Sequence, residues 1–561
     1  MLDLLARHAA SPRAPWLCGA VALLLCLPAL AGGLALDDHV LAHHLARGAP
    51  WWDLFSFVEP SQIPAFMERG KVGWWADPEL KLRFFRPLSS ATHALEFTLW
   101  PGAPWVMHLV SALCYAAVVV VAGRLYRRWL GATAVAGLAA VVFAIDAAHG
   151  QTVGWLATRN TLLATALGFG AVWAHDRWRR DGWRLGGAVG PGLLAAALLA
   201  AEAGLAVGGY LVAHAVVLDR GSWWRRLGVL LPYGVVVVIW RVVYVAAGYG
   251  AVGSGVYLDV GADPLGFVGA IGRTVGLLGF SQLTLPVASL LGMSSHGWRW
   301  PTVGFVVLVG LLWPLVRHDR EVRFFLLGMG LAAILFAATL PTDRLLLPLG
   351  LGGAGVIARL LVVVRARMMA QLRMRLLALV MLVLHLVIAP LLFVPSLLAT
   401  GLMEVGVQRM VEAIPDEERV VLVNVPLEVL LIYLQAVREN RGEPWPAHVT
   451  VLHAGQTELT IERTGMDSVE MHTHAGWMPS PFNRLTRAAG RPMPVETRVG
   501  LETMTVEVIE VSGDGRPTRV TARFDRPLET LAWVAWVDGR PVEWKPPEIG
   551  GQMTVSAQWR W

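Results

Sequence analysis

Trp16-Leu17-Cys18-Gly19-Ala20-Val21-Ala22-Leu23-Leu24-Leu25-Cys26-Leu27-Pro28-Ala29-Leu30-Ala31-Gly32-Gly33-Leu34-Ala35-Leu36 carries no charge and runs straight into Asp37-Asp38-His39. An apolar run of roughly 20 residues is long enough to cross the hydrocarbon of a bilayer. Arg7 and Arg13 precede it, and it ends in two acids rather than in the small residues of a cleavage site. It therefore reads as an uncleaved first span, with Asp37 and Asp38 emerging on the far side from the arginines. Adjacent carboxylates are costly near lipid, so the pair is either the polar flank of a helix or part of a site.

The rest of the chain has the same character. Of its 561 residues 55% are hydrophobic and 16% charged, which places it among polytopic membrane proteins. Lys71, Lys81 and Lys545 are the only lysines, so arginine carries the net charge of +6, a balance typical of GC-rich bacterial genomes. The arginines cluster between apolar runs, at 124/127/128, 177/179/180/184, 220/225/226, 317/320/323 and 365/367/373/375. Placing every cluster in the cytoplasm gives about eleven transmembrane helices, a cytoplasmic N-terminus and an outside C-terminus. This use of arginine points to membrane anchoring and away from nucleic acid. Residues 265–291 contain Arg273, Gln282 and Pro286 and read as a re-entrant or interfacial segment, because a full crossing would reverse the later clusters. Residues 37–101, with Trp51, Trp52, Trp74 and Trp75, form a first outer loop too long for a passive connector.

The expected organisation is a transmembrane domain over 1–400 and a soluble, periplasmic β-rich domain over 401–561. Val420-Val421-Leu422-Val423, His448-Val449-Thr450-Val451, Met504-Thr505-Val506-Glu507-Val508 and Arg519-Val520-Thr521-Ala522-Arg523-Phe524 read as the period-two pattern of half-buried strands. Gly513-Asp514-Gly515 and Asp538-Gly539 supply turns, and 427–439 suits one helix. An antiparallel sandwich is the simplest assembly of these parts. Cys18, Cys26 and Cys114 lie in apolar runs, so there is no disulfide framework. Trp533, Trp536 and Trp544 suit a sandwich core, and the His472/His474 pair suits one exposed strand face better than a metal site.

Polar residues in and beside the spans collect on the outer side: Asp37, Asp38, Arg86, His93, Asp146, His149, Gln151, Arg159, Glu202, Asp343 and Arg344. Such one-sidedness suggests an outward polar cavity, although a structural network of ion pairs gives the same pattern.

Four short motifs stand out: Arg86-Pro87-Leu88-Ser89-Ser90 followed by Leu95-Glu96-Phe97 and His108-Leu109, then the run from His149-Gly150-Gln151 through Trp155 and Arg159-Asn160 to Leu163, then Ala201-Glu202-Ala203, and Thr342-Asp343-Arg344-Leu345-Leu346-Leu347-Pro348. In this order they resemble the motifs of the GT-C glycosyltransferases, in particular the protein O-mannosyltransferases and their tetratricopeptide-containing relatives. Thr161, Ala201, Leu345 and Leu347 stand where that family has an acid, a lysine and two tyrosines, and no repeats follow. The resemblance implies a GT-C-like fold and an inverting, mannosyltransferase-like enzyme of the bacterial inner membrane. Its partners would be the bilayer, a polyprenyl-phosphate-linked sugar donor and a protein or glycan acceptor. It places Asp38 as catalytic base with Asp37 beside it, since such a transfer needs a carboxylate to take the acceptor hydroxyl proton. Arg86, Arg159 and Arg344 are the candidates for the donor phosphate, which a guanidinium can hold with two hydrogen bonds. His149, Gln151, Glu202, Asp343 and His93 would support the site or position the acceptor. No cofactor is called for, and a divalent metal is left open. A non-catalytic scaffold and a transporter of lipid-linked saccharides are the alternative readings of the same pattern.

Overall fold

The computed structural model describes residues 9–294, 296–365 and 372–558, so Arg7 and Arg367 lie outside the described residues. Among the described residues eight helices are long and apolar enough to cross a membrane: Ala14–Ala31, Pro104–Leu130, Trp223–Ala246, Pro264–Leu283, Arg299–His318, Arg320–Ala338, Asp343–Arg365 and Leu372–Ala413. The pair Ala134–Ala144 and Ala147–Gly154 has the apolar length of one more span, broken by a bend of 42°. The bend follows from Asp146, whose side chain accepts the Ala148 N–H and so caps a new helix in the middle of the run.

The expected count of about eleven falls short for identifiable reasons. The run 185–218 divides into Gly186–Ala200 and Glu202–Leu218, each shorter than a spanning helix. Residues 153–174, apolar enough to read as a span, belong mostly to Arg159–Asp181, a helix with five arginines and aspartates in its last turns. Within segment 265–291 a break at 284–287 separates the short helix Ala288–Gly292 from the helix Pro264–Leu283, whose Pro264 sits at the first turn where its missing N–H is harmless. Its flanks meet neighbouring residues: Tyr257 before it faces Arg344, and Ala288 after it is capped by Asp343.

Two large hydrophobic cores result, beside a small cluster of Ala164, Ala200 and Ala201. One joins the membrane helices, with Tyr115, Phe143, Phe169, Tyr210 and Phe325 fully buried. The other fuses the first outer loop to the C-terminal region: Leu36, Val40, Trp74 and Trp75 pack in the same cluster as Val421, Leu434, Val449 and Trp477. Trp74 and Trp477 both donate their indole N–H to the Leu452 carbonyl, at 3.2 and 3.0 Å.

Segments between the membrane helices form a three-stranded sheet of β1 (Ser56–Val58), β2 (Lys81–Arg83) and β3 (Gly250–Val252). The C-terminal region contains β4 (Arg419–Val425), β5 (His448–Ala454), β6 (Leu459–Arg463), β7 (Ser468–His472), β8 (Arg498–Gly500), β9 (Met504–Val511), β10 (Pro517–Phe524), β11 (Ala532–Val537), β12 (Arg540–Glu543) and β13 (Gln552–Val555). The six-stranded sheet, in order β13-β6-β7-β10-β9-β8, is antiparallel throughout, as the alternating patterns of β9 and β10 suggest. The four-stranded sheet β12-β11-β4-β5 differs, because β4 pairs parallel with both β5 and β11. Val420-Val421-Leu422-Val423 is a continuous apolar run rather than an alternating one, as befits a strand buried on both faces. The helix Leu431–Asn440 provides the crossover that the β4–β5 parallel pair requires.

The last membrane helix ties these parts together. At 42 residues Leu372–Ala413 is roughly 60 Å long, about twice the hydrocarbon thickness, so its end stands well clear of the bilayer and delivers β4.

Candidate functional site

The site is built on the turn that ends the first span. Leu36 has φ 53°, ψ −117°, a left-handed conformation that a side chain with a Cβ adopts only under constraint. Four contacts supply the constraint. Asp38 accepts the Ala35 N–H through Oδ2 at 2.9 Å and the Ala157 N–H through Oδ1 at 2.7 Å. Glu404, from the protruding last helix, accepts the Leu36 N–H at 3.0 Å and meets His39 Nε2 at 3.2 Å.

This arrangement separates the two acids. Asp38 is 1% exposed and spends both oxygens on backbone, so it is a clamp between the first span and the 157 turn rather than a free base. Burial pushes its carboxyl up to about 7, against the two backbone hydrogen bonds. Asp37, expected only as its neighbour, is the acid turned toward the polar groups. Tyr433 donates its hydroxyl to Asp37 Oδ1 at 2.9 Å, and Arg344 and Arg86 lie within electrostatic reach. Burial pushes the Asp37 carboxyl up, while the Tyr433 hydrogen bond and the two guanidinium charges pull it down.

The three candidate arginines also part company. Arg159 is fully buried; it pairs with Glu96 and donates to Ser111 Oγ at 3.0 Å and the Met107 carbonyl at 2.8 Å. It locks three elements together and is spent on them. Arg86 pairs with Glu202 at 2.8 Å and lies over the Phe84 and Phe55 rings. Tyr244 donates to the other Glu202 oxygen at 3.3 Å. Arg344 faces Tyr257, Tyr433 and Asp37 and lies 5.7 Å from the Trp155 ring centre. Among the described residues it alone of the three has no carboxylate oxygen within 4.0 Å.

The remaining candidates lie elsewhere. His149 is fully buried in the membrane core, with Nδ1 3.0 Å from the Tyr115 hydroxyl. His93 is 1% exposed and stacks on Phe97. Asp146 accepts from Gln282 at 2.8 Å, and Asp343 caps the turn at Ala288 and Ser289. The backbone N–H of Gln151 is held by Ser396 Oγ at 3.2 Å. The structure therefore brings together Asp37, Arg344, Arg86 and Glu202 from the sequence candidates, and draws Asp38, Arg159, His93, His149 and Asp343 into holding helices in place. No group of three or more His, Cys, Asp or Glu among the described residues is arranged to hold a metal ion.

No family model matches the chain, and no curated protein matches it either. Among the solved structures similar to it are two of one protein. ArnT from Cupriavidus metallidurans in the apo state aligns over 76% of this chain and 85% of its own, at 14% identity and a TM-score of 0.40. The same protein bound to undecaprenyl phosphate aligns over 78% and 89%, at 14% identity and a TM-score of 0.37.

Sequence reading missed Tyr257, Tyr433 and Glu404. Tyr257 sits in a linker and Glu404 in the polar end of a long helix, where neither stands out. Tyr433 carried a faint signal, as the one tyrosine after residue 257 in a chain with eight. What makes it matter is a contact across 396 positions, which no local pattern encodes.

Proposed function

We propose that this chain is a membrane glycosyltransferase that moves a sugar from a polyprenyl-phosphate donor to an acceptor at the outer face of the inner membrane. The observation that carries the reading is the facing pair of Asp37 and Arg344 at the mouth of an apolar helix bundle, with the carboxylate on a constrained turn and the guanidinium unmatched by any acid within 4.0 Å among the described residues. The motifs around Arg86, His149–Leu163 and Arg344 that resemble GT-C enzymes support it, and mannose is the first donor sugar to try. The arginine clusters support an N-terminus in the cytoplasm and a C-terminal region in the periplasm.

In this reading the acceptor hydroxyl attacks the anomeric carbon from the face opposite the phosphate. Asp37 takes the hydroxyl proton as the new bond forms. The bond between the anomeric carbon and the phosphate oxygen breaks, and its electron pair leaves with polyprenyl phosphate. Arg344 stabilises that developing charge, and Arg86 adds a second positive charge already shared with Glu202. Asp38 takes no part in proton transfer and holds the turn that presents Asp37.

The test is sugar transfer by the purified full chain in lipid vesicles, with radiolabelled polyprenyl-phosphate sugars. Asp37→Asn should lower the rate by about 100-fold or more with the protein still folded. Arg344→Ala should weaken saturation by donor. Wild-type transfer rates in folded Asp37→Asn overturn the assignment.

A further inference from the structure

The C-terminal region reaches the proposed reacting centre directly. Its first helix, Leu431–Asn440, lies along the helix Asp37–Ala46 that begins with the two acids. Asn440 Nδ2 donates to the His39 carbonyl at 2.9 Å, and Glu439 pairs with Arg47 at 2.5 Å. Between these contacts and the protruding last helix stands Tyr433, 7% exposed, with its hydroxyl 2.9 Å from Asp37 Oδ1. Glu404 holds the preceding backbone N–H from the same side. The constrained turn is thus gripped by two residues that belong to the C-terminal third of the chain.

We propose that Tyr433 is a positioning residue for Asp37, and that the C-terminal region is a working part of the reacting centre rather than a separate module for capturing acceptor. The inference rests on the glycosyltransferase reading for its catalytic consequence, but the coupling of Tyr433 to Asp37 is independent of it. Geometry carries it. A carboxylate has two oxygens and rotates about one bond, so a donor fixed on one oxygen sets the direction of the other. Tyr433 fixes Oδ1, leaving Oδ2 as the oxygen for the acceptor proton. The charged and titratable groups facing Asp37 are Tyr433 from the C-terminal helix, Arg344 at the head of Asp343–Arg365, Arg86 at the head of Pro87–Leu99, and Asp38 beside it, with the His39–Glu404 pair behind the turn. Removing the phenolic donor withdraws a hydrogen bond that favours the ionised carboxylate, so the acid limb of the rate profile moves to higher pH.

The experiment compares wild type with Tyr433→Phe, Asp37→Ala and the double variant, as full-length proteins in vesicles. For Tyr433→Phe the expected result is a kcat about tenfold lower at pH 7, a donor KM within about twofold of wild type, and an acid limb displaced upward by about one pH unit. A purely structural tyrosine would lower the amount of folded enzyme and leave the limb where it is, and that outcome overturns the proposal. Melting temperatures of the same four proteins decide the coupling without any assay of transfer. The double variant should melt where the lower single variant does, whereas additive losses overturn the contact as a functional pair. If wild type transfers no sugar from any polyprenyl-phosphate donor, the enzyme reading falls while the melting cycle still decides the Tyr433–Asp37 coupling.

Discussion

Glu428→Gln isolates the junction on which the site depends. Glu428 follows β4, is 4% exposed, and joins the C-terminal region to the first outer loop. Its Oε1 accepts the Trp75 indole N–H at 2.9 Å and the Thr486 hydroxyl at 2.5 Å, while Oε2 has no hydrogen-bond partner among the described residues. Burial pushes the carboxyl from its ordinary 4.5 up to about 7, against those two hydrogen bonds. Below pH 4.5 the group is protonated in both folded and unfolded chains and adds no pH dependence. Between 4.5 and 7 the folded form holds a proton that the unfolded form has released, so stability falls as pH rises. At about 1.4 kcal/mol per pH unit the full loss above pH 7 is about 3 kcal/mol. Glutamine keeps the Oε1 acceptor and cannot ionise. The variant should therefore match wild type near pH 4.5 and exceed it at pH 8 by up to about 3 kcal/mol, a gain of roughly 6–12 °C in melting temperature for a unit of this size. The assay is thermal unfolding of both full-length proteins across pH 4.5–8, followed by tryptophan fluorescence. Comparing the two cancels every other titrating group. A difference that does not change with pH, or a variant less stable than wild type at pH 8, refutes the reasoning.

Two further substitutions test which residues hold the frame. Glu96→Gln strips the buried Arg159 of its counter-charge and should destabilise by about 3–5 kcal/mol, read as a loss of folded protein on heating in detergent. A stable Glu96→Gln protein with weakened donor saturation would instead return Arg159 to the phosphate. Gly154→Ala places a Cβ against the Leu397 carbonyl oxygen, where the bent crossing meets the last helix. That backbone contact has no side chain to yield, so a destabilisation of about 1–3 kcal/mol or more is expected from the same melting assay.

The amino-acid sequence by itself determined the solvent and the inventory of polar residues. Runs such as 16–36 are apolar along their whole length, and that property needs no tertiary context to select a bilayer. The alternation of β9 and β10 likewise declared an antiparallel sheet through local period alone. Where local pattern and tertiary demand diverged, the reading slipped. The run 185–218 is too long for one span while each of its halves is shorter than a spanning helix, and β4 is a continuous apolar run buried on both faces where period two predicts one buried face. The partners of the polar residues are decided only in three dimensions. Asp37 and Asp38 are chemically identical neighbours, and the direction of the turn at Leu36 decides which spends its oxygens on backbone and which faces Arg344. Arg86, Arg159 and Arg344 are equally cationic in sequence; their partners Glu202 and Glu96 lie 116 and 63 positions away and leave Arg344 unmatched. A charge is a property of a residue, whereas its availability is a property of everything packed around it.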